Sequence, residues 1–244
     1  AVTEGAPVLF SDSAIAAMRT SRAVVDRAVA RGEVVYGVNT GFGSFADVRI
    51  GAADLEALQK NLVRSHAAGV GATLPPLQTR ALLVLRANVL AKGFSGARVE
   101  TAQLLVECLN RRIHPKVPEQ GSVGASGDLA PLAHVALLLI GEGECEFNGQ
   151  SLKAADALLA AGLKPVVLGP KEGLALINGT QLTTGIAALS LLEAETLART
   201  ADVVAALTVD ALLGSDVAFD PRIHAARPHA GQAASARNLR RLLE

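Results

Sequence analysis

Apolar residues recur at the three- and four-residue spacing of an amphipathic helix along most of the chain. The first stripe predicts a helix that is capped by Ser11 and ends near Ala30. The longest stripe runs from about Gln181 to Leu213 and stops at Gly214, and it predicts a helix of roughly 50 Å, a length that is typical of bundles. Similar patterns predict further helices over about 53–68, 76–92, 95–112, 128–140 and 233–244.

The segments between these helices contain residues that interrupt helical structure. Three glycines within 36–43 predict a loop, and Ser95 is the predicted cap of the helix that ends near Arg112. The Asn-Gly pair at 148–149 predicts a hairpin over 145–150 with a type I′ turn. Together these elements indicate a mainly α protein with a small β-hairpin, in which the longest helix belongs to a bundle.

Composition narrows the class of protein. The 244 residues are 50% hydrophobic and 19% charged and include 45 alanines, which excludes intrinsic disorder and favours helices. Because 23 basic and 23 acidic residues balance, we expect no nucleic-acid partner. No apolar run reaches the roughly 18–20 residues of a membrane span, and the first residues do not form a signal peptide, so no membrane partner is expected. Two cysteines allow no disulfide framework and favour a reducing, cytoplasmic location.

The densest chemical signal is the stretch 117–134, where small residues precede a helix that should begin at Asp128, whose carboxylate suits an N-cap. Within it, Ala125, Ser126 and Gly127 can cyclise. The unhindered nitrogen of Gly127 attacks the carbonyl carbon of Ala125, and loss of two waters, one from the Ser126 side chain, leaves an electrophilic methylidene-imidazolone. A helix N-terminus beside that ring favours electron withdrawal. On the triplet alone, a glycine-rich turn that caps a helix is the more common explanation.

The surroundings of the triplet resemble the signature of the aromatic amino-acid ammonia-lyases in a long, dense match. Further segments resemble parts of this family in the family's order: Tyr36–Gly43, Asn61–Gly71, Asn178–Gln181, Phe219–His224 and Arg227–Gln232. The resemblance covers nearly the whole chain. It implies an ammonia-lyase-type N-terminal domain over 1–177 and the first part of a central helical bundle over 178–244, with the C-terminal half of a typical member absent.

The resemblance also implies roles for single residues. In the family, the triplet Ala125–Gly127 forms a 4-methylidene-imidazol-5-one group (MIO) autocatalytically. Tyr36 would then act in acid/base chemistry near the substrate amino group, Asp128 would assist ring formation, and Asn178 would hydrogen-bond the ring or the substrate carboxylate. Without the resemblance, Tyr36 is a surface or packing residue of a loop, and Asn178 is an N-cap of the long helix. Family members are homotetramers whose active sites combine residues of several subunits.

His66 bears on the choice of substrate. Ser65-His66-Ala67 looks like the version of this segment in the histidine ammonia-lyase branch, and an imidazole side chain can hydrogen-bond a substrate imidazole. This implies elimination of ammonia from L-histidine to give trans-urocanate, the first step of histidine degradation. Alternatively, His66 is a helix-face histidine that the backbone satisfies. The alternatives for the whole chain are a tyrosine or phenylalanine ammonia-lyase or aminomutase, and a non-catalytic truncated helical scaffold.

The absent half limits what this chain is expected to do alone. In the family, a second catalytic tyrosine, a substrate-binding arginine and a glutamate come from that half, and Tyr36 is the single tyrosine here. We therefore expect this chain to be weakly active or inactive by itself, with incomplete ring closure. We expect no metal site, because four histidines lack metal-ligand spacing with the cysteines: His114, His134, His224 and His229.

Overall fold

The computed structural model describes residues 2–41, 50–51, 54–121 and 127–244. The chain divides into two compact units, Ala1–Ile186 and Ala187–Glu244, called unit 1 and unit 2 below. The boundary between them falls inside the longest helix. The assignment of 1–177 to an N-terminal domain and of 178–244 to the bundle of a longer protein stays a prediction.

Helices dominate the described chain, which confirms the predicted mainly α class. Their bounds are α1 (Asp12–Ala30), α2 (Leu55–His66), α3 (Pro76–Ala91), α4 (Val99–Asn110), α5 (Leu129–Leu139), α6 (Ala154–Ala160), α7 (Glu172–Ile177), α8 (Gln181–Ala211), α9 (Pro221–Ala225) and α10 (Ala230–Leu243). A short 3-10 helix, Asp216–Phe219, precedes α9. The helices α6, α7 and α9 were not predicted, since 5 to 7 residues are too few to show a helical period.

Two helix starts show where capping rules succeed and where they fail. Ser11 accepts the backbone N–H of Ala14 at 3.3 Å, as predicted for α1. The prediction that Ser95 caps the fourth helix is wrong, because α4 begins at Val99. Gly96 follows Ser95 with a φ of +68°, and this left-handed backbone cannot continue into a helix.

Two small antiparallel sheets belong to unit 1. The first pairs β1 (Val70–Thr73) with β3 (Pro118–Gln120), and the second has the order β2 (His114–Pro115), β4 (Glu144–Phe147), β5 (Gln150–Lys153). The predicted hairpin is confirmed, because Asn148 and Gly149 connect β4 to β5 with φ values of 52° and 75°, as a type I′ turn requires. The β1–β3 pair was not predicted. It joins the segment after α2 to the segment that leads into the triplet.

The core of unit 1 packs α3, α4 and α5 around aliphatic side chains that are completely buried, among them Leu82, Leu105 and Leu132. Cys108 and Cys145 are buried free thiols. Burial raises the pKa of Cys108 to about 12 and that of Cys145 to about 11, so neither is present as a thiolate near neutral pH.

Unit 2 contains the remainder of α8, the 3-10 helix, α9 and α10. Asn238 donates to the carboxylate of Asp202 at 2.8 Å, and Arg240 donates to the carbonyl of Phe219 at 3.0 Å, which ties α10 to its neighbours. By length and composition only, the segment Glu172–Ala211 is apolar and long enough to cross a membrane. The sequence pattern did not predict this, because polar residues interrupt its apolar runs. One such segment is weak evidence, since core helices of soluble proteins pass the same test.

Candidate active site

Gly127 is the described end of the predicted triplet, whereas Ala125 and Ser126 lie outside the described residues. Its φ is +148°, a conformation that side chains disfavour. A Cβ at Gly127 would lie 2.7 Å from both the carbonyl carbon and the nitrogen of Gly179, and closer still to the carbonyl oxygen. The backbone of the second motif therefore occupies the space that any side chain at this position would need.

Asp128 continues this contact, because its backbone N–H donates to the carbonyl of Gly179 at 2.7 Å. Its side chain is almost completely buried, and its carboxylate accepts the Thr183 N–H at 2.9 Å and the Thr183 hydroxyl at 2.7 Å. The helix after the triplet does begin at Leu129, but the predicted N-cap bond from the Asp128 side chain to that helix is absent among the described residues. The carboxylate instead binds a first-turn N–H of α8, which has no partner inside its own helix.

Asn178 sits at the junction of α7 and α8. It is the C-cap residue of α7, its N–H donates to the carbonyl of Leu174 at 3.1 Å, and the residue as a whole is exposed. Because α8 begins at Gln181, three residues after Asn178, the described geometry places this asparagine at the end of α7. It directly precedes Gly179, the residue that contacts Gly127.

A buried arginine lies behind this junction. Arg86 of α3 is 2% exposed and donates to the carbonyls of Ala175 and Asn178 and to the side-chain oxygen of Gln181, the last two at 2.8 Å. Within the described ranges, no carboxylate lies within ion-pair distance of its guanidinium, and its Nε has no hydrogen-bond partner. Burial lowers the pKa of Arg86 to about 10, so it remains cationic at neutral pH.

His66 is the last residue of α2 and is half-buried. Its Nδ1 lies 2.9 Å from the carbonyl oxygen of Leu62 and 3.1 Å from the hydroxyl of Ser65. Because a carbonyl only accepts, Nδ1 carries the proton, and Nε2 is the acceptor of the neutral ring. The backbone hydrogen bond that the alternative interpretation of His66 expected is therefore present. It also orients the ring and defines its tautomer.

His134 of α5 connects the His66 segment to the helix that follows the triplet. Its Nε2 accepts the backbone N–H of Gly69 at 3.2 Å, three residues after the end of α2. Burial lowers the pKa of His134, which favours the neutral ring that this bond requires. A Cβ at Gly69 would meet both His134 and Pro118 at 3.1 Å, so the backbone at Gly69 packs closely against these two side chains.

Tyr36 lies in a turn and is 53% exposed. The turn is organised by Asn39, which accepts the N–H of Val35 at 2.9 Å and donates to the carbonyl of Glu33 at 2.6 Å. Thr40 accepts the N–H of Gly37 at 3.3 Å. The last two residues of the predicted loop, 42 and 43, lie outside the described residues.

The structure thus brings three predicted site residues together, Gly127, Asp128 and Asn178, through their contacts with Gly179 and its neighbours. Sequence reasoning missed Arg86 and Thr183. A signal existed for Arg86, since it is the one charged residue in the largely apolar stretch 81–90 of α3. In the described part of the chain, no cluster of three or more His, Cys, Asp or Glu side chains could hold a metal ion.

Comparison with known proteins identifies the family. The model of the family described as "Aromatic amino acid lyase" matches residues 1–244. The chain belongs to this family. A probable histidine ammonia-lyase of Halobacterium salinarum is 56% identical over 237 residues, which are 97% of this chain and 45% of that protein. The aromatic amino acid lyase resemblance inferred from the motifs is confirmed, and the chain spans about half the length of the curated relatives it matches.

Solved structures agree with this assignment. The crystal structure of histidine ammonia-lyase from Trypanosoma cruzi matches with a TM-score of 0.91 and 43% identity, over 98% of this chain and 46% of that one. Tyrosine aminomutase from Streptomyces globisporus matches with a TM-score of 0.92 and 40% identity, over 98% of this chain and 45% of that one. The lyase-family fold is therefore shown, and relatives with different reactions share it.

Proposed function

We propose that this chain is the N-terminal half of an ammonia-lyase that converts L-histidine into trans-urocanate and ammonia. The observation that carries the proposal is the set of curated relatives named histidine ammonia-lyase, which are 53–56% identical over 96–99% of the chain. The solved histidine ammonia-lyase and tyrosine aminomutase are less similar, at 43% and 40% identity. In this reaction a β-proton leaves, its electron pair forms the Cα–Cβ double bond, and the carbon–nitrogen bond breaks.

The residues present fit an MIO group formed from Ala125, Ser126 and Gly127. Ring closure needs an unhindered nitrogen at the third position, and the packing of Gly179 leaves no room for a side chain at Gly127. When formed, the group supplies an electrophilic carbon near the substrate amino group, as a built-in cofactor. Asp128 would fix the C-terminal side of the triplet through its bonds to Gly179 and Thr183.

His66 supports histidine as the substrate. With its Nδ1 proton held by Leu62, the neutral ring has an acceptor at Nε2, which suits an imidazole N–H of the substrate. Phenylalanine as a substrate has no polar hydrogen on its side chain, so it would leave the Nε2 acceptor unpaired. Tyr36 would hold or move a proton at the amino group from its half-exposed turn, and Asn178 would hydrogen-bond the substrate carboxylate or the ring.

The complete protein, purified and assayed with three amino acids, tests the proposal. We expect L-histidine to give urocanate absorbance, with little cinnamate from phenylalanine or coumarate from tyrosine. Intact mass should show the loss of two waters, roughly 36 Da, from the wild-type protein and not from a Ser126→Ala variant. Undiminished deamination of histidine by Ser126→Ala would contradict the proposal, and cinnamate or coumarate as the main product would favour the alternative enzymes.

The same assay, applied to this half-length chain beside the complete protein, tests what the half does alone. We propose that the half-length chain is weakly active or inactive and that the complete protein is a homotetramer. We also propose that the complete protein acts in the cytoplasm, where the free thiols Cys108 and Cys145 remain reduced. Size-exclusion chromatography with light scattering measures the assembly. A reading frame that stops after Glu244 would support the non-catalytic scaffold instead.

A further inference from the structure

The environment of Arg86 requires an explanation that the proposed reaction does not yet contain. An arginine buried without an anion loses hydration that hydrogen bonds to neutral groups only partly replace. Arg86 is 2% exposed, and all of its described partners are neutral oxygens: two backbone carbonyls at the end of α7 and the amide oxygen of Gln181 at the start of α8. Its guanidinium therefore joins the two helices across the short connection 178–180.

That connection is the surface on which Gly127 rests. A Cβ at Gly179 would lie 2.6 Å from Nη1 of Arg86, and a Cβ at Gly127 would lie 2.7 Å from the Gly179 backbone. The guanidinium, together with the Gln181 side chain that it binds, therefore packs against Gly179, and the Gly179 backbone packs against Gly127. A shift of the 178–180 connection would be transmitted directly to Gly127 and to the bond between the Asp128 N–H and the Gly179 carbonyl.

We propose that Arg86 is a positioning residue: its buried guanidinium fixes the 178–180 connection against Gly127, and thereby places Asn178 and holds Gly127, the nitrogen donor of ring closure. This inference rests on the proposed function, in which the triplet cyclises and Asn178 contacts the ring or substrate. Arg86 acts through the connection and not by touching substrate. Five fixed donors on one planar group suit it to hold several carbonyls at once, which a single ammonium does less well.

The test compares variants of the complete protein. Arg86→Met removes the donors and the charge at similar volume, and Arg86→Lys keeps the charge with a different donor geometry. Arg98→Lys is the matched control, since Arg98 bonds the buried Glu172 at the opposite end of α7 and makes no described contact with 178–180. Hydrogen exchange at the Asp128 amide reports the bond to Gly179, and intact mass reports the fraction of chains that have lost two waters.

We expect Arg86→Met to speed exchange of the Asp128 amide by about tenfold or more, the effect of losing roughly one hydrogen bond's stabilisation. It should also leave a fraction of chains uncyclised and lower kcat by about a hundredfold, as small misplacements do. Arg86→Lys should restore part of each quantity, and Arg98→Lys should leave amide exchange and mass unchanged. If Arg86→Met does not fold, Arg86→Lys decides by the same three readings.

Wild-type exchange at Asp128, complete water loss and unchanged kcat in the Arg86 variants would overturn the inference. Failure of the proposed function gives a different result, namely a wild-type protein without the two-water loss. In that case, exchange at the Asp128 amide still decides whether Arg86 fixes the connection, because this bond belongs to the described fold whether or not a ring forms.

Discussion

Replacement of Gly127 by alanine tests the contact between the two motifs quantitatively. The added Cβ would lie 2.7 Å from two backbone atoms of Gly179, whereas ordinary contacts begin at 3.4 Å. Overpacking costs about 1–3 kcal/mol, and a non-glycine residue at a φ of +148° adds about 1–3 kcal/mol of strain. If the two segments separate instead, the bond from Asp128 to Gly179 is lost, about 1 kcal/mol. We expect the free energy of unfolding to fall by about 3–5 kcal/mol.

Urea denaturation followed by circular dichroism measures this change, with Gly162→Ala as the matched control. Gly162 also has a positive φ, +69°, but a Cβ there would meet nothing within 4 Å. The control isolates the conformational penalty of alanine, about 1–2 kcal/mol. If Gly127→Ala destabilises the chain no more than Gly162→Ala, to within about 0.5 kcal/mol, the packing of Gly179 on Gly127 is refuted.

Four further substitutions test other contacts of the fold. Asp128→Asn should lower the free energy of unfolding by about 2–3 kcal/mol, measured by urea denaturation, because a charge-assisted acceptor is lost. Thr183→Val should lower it by about 1 kcal/mol, since only the hydroxyl bond disappears. Equal costs would contradict this assignment. The lowered pKa of His134 means that the unfolded chain binds its proton more tightly, so the melting temperature should fall as the pH drops below about 6.5, and His134→Gln should flatten that dependence. Glu172→Gln should cost about 3 kcal/mol, because the fully buried carboxylate is the acceptor of a salt bridge; a change below about 1 kcal/mol would show that the pair is dispensable.

The elements with a strong local pattern were predictable from the sequence. The long helix was expected over about 181–213 and spans Gln181–Ala211, and the Asn-Gly turn of the hairpin follows from residues that tolerate positive φ. The prediction of Ser95 as a cap failed because the conformation of Gly96 depends on packing against α1, where a Cβ would collide with Val25. Local rules cannot include such a distant neighbour.

The candidate site divides in the same way. The motifs pointed to Gly127, Asp128 and Asn178 one by one, and their contacts through Gly179 depend on the fold. The capping rule identified Asp128 correctly but predicted the wrong hydrogen-bond donor for its carboxylate. The actual donor, Thr183, is 55 residues away in the chain. A buried carboxylate takes the best available donors, and only the tertiary structure shows which these are.

The contact of Gly127 with Gly179 links the two motifs physically. Neither Gly127 nor Gly179 has room for a Cβ: the Gly179 backbone crowds Gly127, whereas the side chains of Gln181 and Arg86 crowd Gly179. A Cβ at Gly127 would push against the backbone of the Asn-Gly-Thr segment, whereas a Cβ at Gly179 would push against the Gln181 and Arg86 side chains, which are bonded to each other beside that segment. The need for glycine at position 127 therefore comes from the Asn-Gly-Thr segment. Gly179→Ala would displace the Gln181 and Arg86 side chains and reach the triplet only through the 178–180 connection, so it should reduce water loss less than Gly127→Ala does. Intact mass of both variants of the complete protein measures this, and an equal or larger reduction in Gly179→Ala would contradict it.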